Sequence, residues 1–463
     1  MPNQIVSPTS PRTAFVLGAG FSRAASAEMP ITDELGRRAA SRLESPALAN
    51  LPNFRADGIT FENWLTWLGE RQPFLGEAEH LHDRALFAEL SEKIAIEVAA
   101  SQLTAEESGY PLWLGEFVDL LHWSQSHVIT LNYDNIVETT LDKSPRSDGD
   151  SVVRSADIVT GFPNGRGLMF GSGSYFEERG TLALHKLHGS IDWFSVPGDR
   201  TGATLERIPP NETRGTAAHR ATIGGREAFI VPPTSTKGTY FDNPKTRFTW
   251  QQARDGLREA ERVVLIGYSL PLTDTALARL LSMTIAGGQQ EVVVVNPDAD
   301  AVASRLGALG VEPGRVTTMS GSGCVGDFVD AEVDSATKEL IRYLATQAES
   351  SPLSPVAVGW GYAGWGAITD ASFDARVGSL RLTVDRVDLP LAAISDPASA
   401  ADGPNARHTV TLGALFRYGV PTEIVAQIGD REWRVCTRAT PDAAEEEGWV
   451  LLRPAGHQPD RRP

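Results

Sequence analysis

Hydrophobic positions fall into two kinds of run along this chain. One kind is short, apolar and stopped by glycine or a polar residue. Ala14-Phe15-Val16-Leu17 ends at Gly18, His127 to Leu131 at Asn132 and Leu182 to Leu187 at His188. Arg262 to Ile266 ends at Gly267, and Glu291 to Val295 at Asn296. Such runs predict strands buried on both faces, as in parallel sheets. The other kind repeats at helical spacing. It fills most of Thr32 to Ser124, in stretches such as ELGRRAASRL, FENWLTWLGE and AELSEKIAIEVAA. It returns at about Thr249 to Glu261, Thr273 to Ala286 and Glu332 to Gln347. Ser22 stands where the cap of a helix after the first turn is expected. Residues 143–180 are polar and glycine-rich, and residues 195–228 read as loops.

Strand, helix and strand in alternation predict an α/β fold. The expected architecture is a Rossmann-like parallel sheet with a helical insertion over about residues 33–125. Each strand delivers polar or glycine residues at its C-terminal end, the edge where open parallel sheets hold ligands. After Ser350 the character changes. AESSPLSPV reads as a linker, and SLRLTVDRVDL, TEIVAQIG, EWRVCTRA and GWVLLRP alternate as β strands do. The expected division is a catalytic domain over 1–348 and a small β-rich C-terminal domain over 349–463. GWGYAGWGA, with Trp360 and Trp365, reads either as core or as a contact surface.

Charge and cysteine content narrow the function. The formal net charge of the 463 residues is -17, which disfavours non-specific contact with nucleic acid or anionic lipid. There are two cysteines, Cys324 and Cys436, too few for a disulfide framework or a four-cysteine zinc site. No apolar run approaches a membrane span, and MPNQIVSPTSPRT lacks the apolar stretch of a signal peptide. A cytoplasmic protein is expected.

The chemistry sits at the strand ends. Gly18-Ala19-Gly20 before a helix is the form of a phosphate-holding turn, although Arg23 stands where a third glycine would complete a dinucleotide fingerprint. Taken alone, such a turn is equally a tight backbone turn. Asn132 and Asp134 in TLNYD suit a helix cap, or contact with a sugar hydroxyl or a water. His188, at a strand end before Gly189, suits a general base in a cleft. His185, three residues earlier, reads as structural. No cysteine or acidic partner stands at ligand spacing, so no metal site is expected.

GAGFS, TLNYD, KLHGS, GYS and VVVVN, in this order and spacing, resemble the sirtuin catalytic domain. The likeness covers about residues 12–345. PITDEL and FENWL resemble the sirtuin-like proteins of bacterial antiphage defence. The resemblance implies that NAD is bound by Gly18, Ala19, Gly20, Phe21, Ser22, Asp33, Leu131, Asp134, Gly267, Tyr268, Ser269 and Asn296. It implies Asn132 and His188 as the catalytic pair. Deacylating sirtuins carry a four-cysteine zinc module after the His-Gly motif, whereas residues 191–260 hold no cysteine. The segment Glu28 to Asp33 also departs from the deacylase pattern. Both departures favour water as the nucleophile. The expected activity is NAD glycohydrolysis by a regulated antiphage effector that depletes NAD, acting as a homo-oligomer or with a partner defence protein. An NAD-dependent deacylase or ADP-ribosyltransferase, and a non-enzymatic NAD or ADP-ribose sensor, are the competing expectations.

Overall fold

In the computed structural model the short apolar runs pair side by side into one parallel sheet. The strands are β1 (Thr13–Leu17), β2 (His127–Thr130), β3 (Ala183–Lys186), β4 (Arg262–Ile266), β5 (Glu291–Val295) and β6 (Val316–Met319). Their spatial order is β6-β5-β4-β1-β2-β3, and every neighbouring pair is parallel. This is the strand order of doubly wound dinucleotide-binding folds, with the direction of winding reversing between β1 and β4. The structure describes residues 12–43, 58–143, 153–162, 181–197, 225–235 and 237–333, with a few residues between. Between 354 and 454 it describes strand backbone.

Burial explains the strands. Ala14, Val16, Ile129, Val263, Leu265, Val292 and Val294 share one core cluster with Leu257, Leu277, Leu281, Ile285 and Leu306 of the covering helices. The opposite face is built on Phe15, which meets Phe117 edge-on at 5.4 Å. Full burial of one such side chain is worth about 1.5–3 kcal/mol, so a run of four fixes a strand without help from alternation. β6 escaped the sequence reading because its residues are only partly buried or exposed, as suits a sheet edge.

The helical insertion comprises Thr32–Ala40, Phe61–Gly69, Glu77–Ser108 and Leu112–Trp123. The Thr60 hydroxyl caps the second of these by accepting from Asn63 N at 3.2 Å. Later, Pro244–Glu259 starts on Asn243, whose side chain accepts from Lys245 N at 2.9 Å. The helix expected over Thr273 to Ala286 begins at Thr275 and turns π-helical over Ser282–Ala286. One expectation is corrected at the first turn. Ser22 lies inside the helix Ala19–Ala25, and Gly18 holds the cap position. The expected helix at Glu332 to Gln347 falls almost wholly outside the described residues.

A small antiparallel sheet joins Gly189–Ser195 to Glu206–Arg207 and Glu227–Ile230. Gly189–Ser195 is buried throughout, and it was not foreseen because IDWFS follows the His-Gly turn with no breaker between. The C-terminal strands belong to a separate compact unit. They form a seven-stranded sheet in the order Arg407–Gly413, Ser379–Asp388, Ala363–Asp374, Ser354–Val358, Val450–Pro454, Arg431–Thr437, Ile424–Ile428. Pairing is antiparallel except between Ser354–Val358 and Val450–Pro454. The β runs read from sequence are thus strands. Trp360 lies outside the described residues.

Candidate functional site

The point where the winding reverses is built by backbone contact between two glycine turns. Gly18 N donates to Ile266 O at 3.0 Å, and Gly20 N donates to Gly267 O at 2.9 Å. Gly267 has a positive φ of 61°, and a Cβ there would stand 2.1 Å from Phe21 N. A Cβ on Gly20 would stand 2.7 Å from Gly267 O. The turn after β1 and the turn after β4 therefore need glycine to lie against each other. That contact accounts for the missing third glycine: the helix after this turn packs on the Gly267 turn, and position 23 points elsewhere. Arg23 donates to the carbonyls of Ala27 and Met29, each at 2.9 Å, and to Glu34 at 3.0 Å. It holds the loop that leads to the helix Thr32–Ala40.

Ser22 is the hub of the first strand ends. It is buried, donates to Asp134 Oδ2 at 2.7 Å, and accepts from Asn132 Nδ2 at 2.9 Å. Asn132 Nδ2 also donates to Gly18 O at 3.0 Å. Asn132 is partly exposed, and its amide nitrogen is held by two groups of the segment after β1. Asp134 has a second duty: its Oδ1 accepts from Ile136 N at 3.2 Å, at the start of the helix Ile136–Lys143. Of the two roles considered for TLNYD, helix capping falls on Asp134. Behind this residue Lys186 and Glu138 form a fully buried ion pair at 2.9 Å, and Lys186 donates to Asp134 O.

His188 lies just past β3 and is 5% exposed. Its Nε2 is 3.3 Å from Lys237 Nζ. Lys237 also donates to Asp274 Oδ1 at 3.2 Å, and Asp274 Oδ2 accepts from the Tyr268 hydroxyl at 3.1 Å. Burial, and then the Lys237 ammonium, push His188 down to about 3, against a smaller opposing pull from Asp274. Asp274 itself sits below its ordinary value: burial works to raise it, and the Lys237 ammonium and the Tyr268 hydroxyl act to lower it. The imidazole is neutral at physiological pH. His185 is fully buried and shares a hydrogen bond with His127 at 2.9 Å, the two rings lying edge to edge with centroids 5.2 Å apart. It is a structural residue of the sheet face.

Phe21 is core, packed on Phe117 and Trp113 at 5.4 and 5.8 Å, so it can offer the crevice only its backbone. Leu131 and Tyr268 are buried in the core cluster. Ala19 opens the first helix and is partly exposed. Ser269 O accepts from Arg305, and Asn296 Nδ2 donates to Tyr268 O at 3.3 Å. Asp33 Oδ1 accepts from Phe61 N at 3.2 Å, tying the helical insertion to the segment after the first turn. Glu62, next along that helix, accepts from the Thr273 hydroxyl at 2.5 Å, and its burial holds the carboxyl above its usual range.

Lys237, Asp274 and Glu62 were not singled out from the sequence. Each lies in a loop or at a helix start, and only the fold brings Lys237 and Asp274 to His188 and Glu62 near that pair. The one trace was Glu62 inside FENWL. Among the described residues no three His, Cys, Asp or Glu side chains are grouped to hold a metal ion, and no helix is long and apolar enough to cross a membrane.

No family model matches this chain, and no curated protein matches it. A solved sirtuin structure, described as the structural basis of sirtuin substrate affinity, is similar to it in fold. The match has 13% identity and a TM-score of 0.33, and covers 70% of this chain and 93% of that chain. The fold assignment stands on the strand order and pairing described above.

Proposed function

We propose that this chain cleaves NAD between nicotinamide and ribose, with water as the acceptor. One observation supports this reading most. Asn132 and Ser22 meet the Gly18 turn at the C-terminal edge of the sheet, where the winding reverses, and His188, past β3 at the same edge, is linked through Lys237 and Asp274 to Tyr268, the residue after Gly267. A dinucleotide lies across that edge in folds of this order. The glycosidic electron pair leaves with the pyridinium nitrogen, so nicotinamide departs neutral and positive charge builds on the ribose. The Asn132 amide orients a ribose hydroxyl or the attacking water. His188 accepts the proton that water loses as its oxygen bonds to the ribose carbon, then passes it to solvent. Nicotinamide, ADP-ribose and one proton are the products.

Depletion of NAD harms the cell that houses the enzyme, so the activity is held off until a trigger arrives. The likeness of PITDEL and FENWL to antiphage proteins makes phage infection the proposed trigger. The β-rich C-terminal unit is the proposed site of oligomer or partner contact. Deletion of residues 351–463 is expected to lower both oligomer size and NAD turnover, measured by light scattering and product analysis. No change in either would remove that role.

The deciding experiment incubates purified full-length protein with NAD alone, with and without lysate from phage-infected cells. Free nicotinamide and ADP-ribose in equal amounts are expected, and Asn132→Ala and His188→Ala are expected to abolish them while remaining folded. Product that appears only with an acylated peptide would make the chain a deacylase. Binding without turnover would make it a sensor.

A further inference from the structure

His188 is approached by a chain of buried polar groups whose charge has no packing explanation. The Lys237 side chain is 5% exposed, as is that of Asp274. Burying such a pair is costly relative to apolar residues of similar volume, so it is weak evidence for a role in stability alone. Its geometry is directed. Lys237 Nζ stands between Asp274 Oδ1 at 3.2 Å and His188 Nε2 at 3.3 Å. The Tyr268 hydroxyl holds the other Asp274 oxygen at 3.1 Å. An ammonium has donors only. Its approach to Nε2 therefore needs a lone pair on that nitrogen, which leaves the ring proton on Nδ1. A second proton on His188 would set two cations against each other out of water.

We infer that Lys237, anchored by Asp274, is a positioning residue that keeps His188 neutral, with Nε2 as the proton-accepting atom. This rests on the reading of His188 as a base, but its test does not. The other titratable groups around the cluster are Glu62 and Asp33 from the helical insertion, Tyr133 after β2, Tyr268 after β4, and Tyr240. All are acidic or phenolic, so none can replace the charge of Lys237. Lys237 holds Nε2 in the resting site, and a ribose hydroxyl or water takes that place as the ammonium turns fully to Asp274.

The test is histidine-selective nitrogen NMR of the full-length protein, with the His188 signals assigned by their loss in His188→Ala. Wild-type His188 is expected to stay neutral with its proton on Nδ1 between about pH 5 and 8, the range in which a free histidine titrates. Lys237→Gln removes the cation and leaves Asp274 facing the ring. The His188 midpoint should then rise by about one to three pH units, the usual effect of a close charge. Adding Asp274→Asn should bring it part of the way back, and Lys237→Arg should keep it near wild type. The signals of the hydrogen-bonded His127 and His185 report folding in each variant. If Lys237→Gln does not fold, the Lys237→Met, Asp274→Asn double variant is read for loss of the fixed Nδ1–H tautomer. An unchanged midpoint in Lys237→Gln, or an unchanged tautomer in the double variant, overturns the inference. A His188→Ala protein that still cleaves NAD overturns the catalytic role of His188 and leaves the NMR result intact. Where both hold, the acid limb of kcat moves up in Lys237→Gln together with the NMR midpoint.

Discussion

At the scale of single residues, Ser22 and Arg23 make a useful contrast. They are adjacent in sequence and opposite in consequence. Ser22 sits between Asn132 and Asp134, so its hydroxyl fixes the amide that would touch substrate. Ser22→Ala leaves buried Asp134 Oδ2 without that donor and loosens Asn132, a loss of about 1–3 kcal/mol. If Asn132 acts only in the transition state, kcat should fall by roughly tenfold to a hundredfold, with KM for NAD little changed. Arg23→Ala serves as the control: it breaks contacts to Ala27, Met29 and Glu34 and should lower thermal stability without altering kcat. Sequence could separate neither duty, since both residues stand in the same turn and helix. It did single out Asn132, Asp134 and His188, because a polar residue ending a buried strand is conspicuous. It passed over Lys237 and Asp274, since a lysine or aspartate in a loop reads as solvated until the chain folds around it.

At the scale of elements, the two glycine turns decide the site. Gly18, Gly20 and Gly267 are written in the sequence as strand stops, and their mutual contact is a tertiary fact with no sequence signature. Gly267→Ala is expected to destabilise the protein by about 1–3 kcal/mol from overpacking, with a further cost from its positive φ. Denaturant unfolding measures the loss, and NAD turnover of the folded fraction should fall as well, since Gly18 and with it Asn132 shift. A loss of stability with full turnover would show that this contact supports the sheet and not the site. β1, β4 and β5 were legible because four consecutive buried apolar residues leave no other assignment, and β2 and β3 from shorter apolar stretches that end in polar residues. β6 was not, because VTTM at an edge gains little from burial.

At the scale of the whole molecule, buried neutral histidines set how the protein meets acid. His185 and His188 each have a folded value of about 3 against 6.5 when free. Below pH 6.5 the unfolded chain takes up protons that the folded chain refuses, so folding stability falls as pH falls and is restored as it rises. Between those two values each histidine steepens the loss by up to about 1.4 kcal/mol per pH unit. His127, also held below its usual value by burial, adds in the same direction. His185 is the one to change, since it faces His127 and Thr160 on the sheet face and takes no part in the proposed chemistry. His185→Gln should lower stability at neutral pH by disturbing the buried hydrogen bonds to His127 and Thr160, and should flatten the decline between about pH 6 and pH 4 by close to one proton's worth. Denaturant midpoints taken across that range give the slope directly. If the slope matches wild type, His185 titrates in the folded state, and the buried, neutral pairing with His127 is not what holds that face of the sheet.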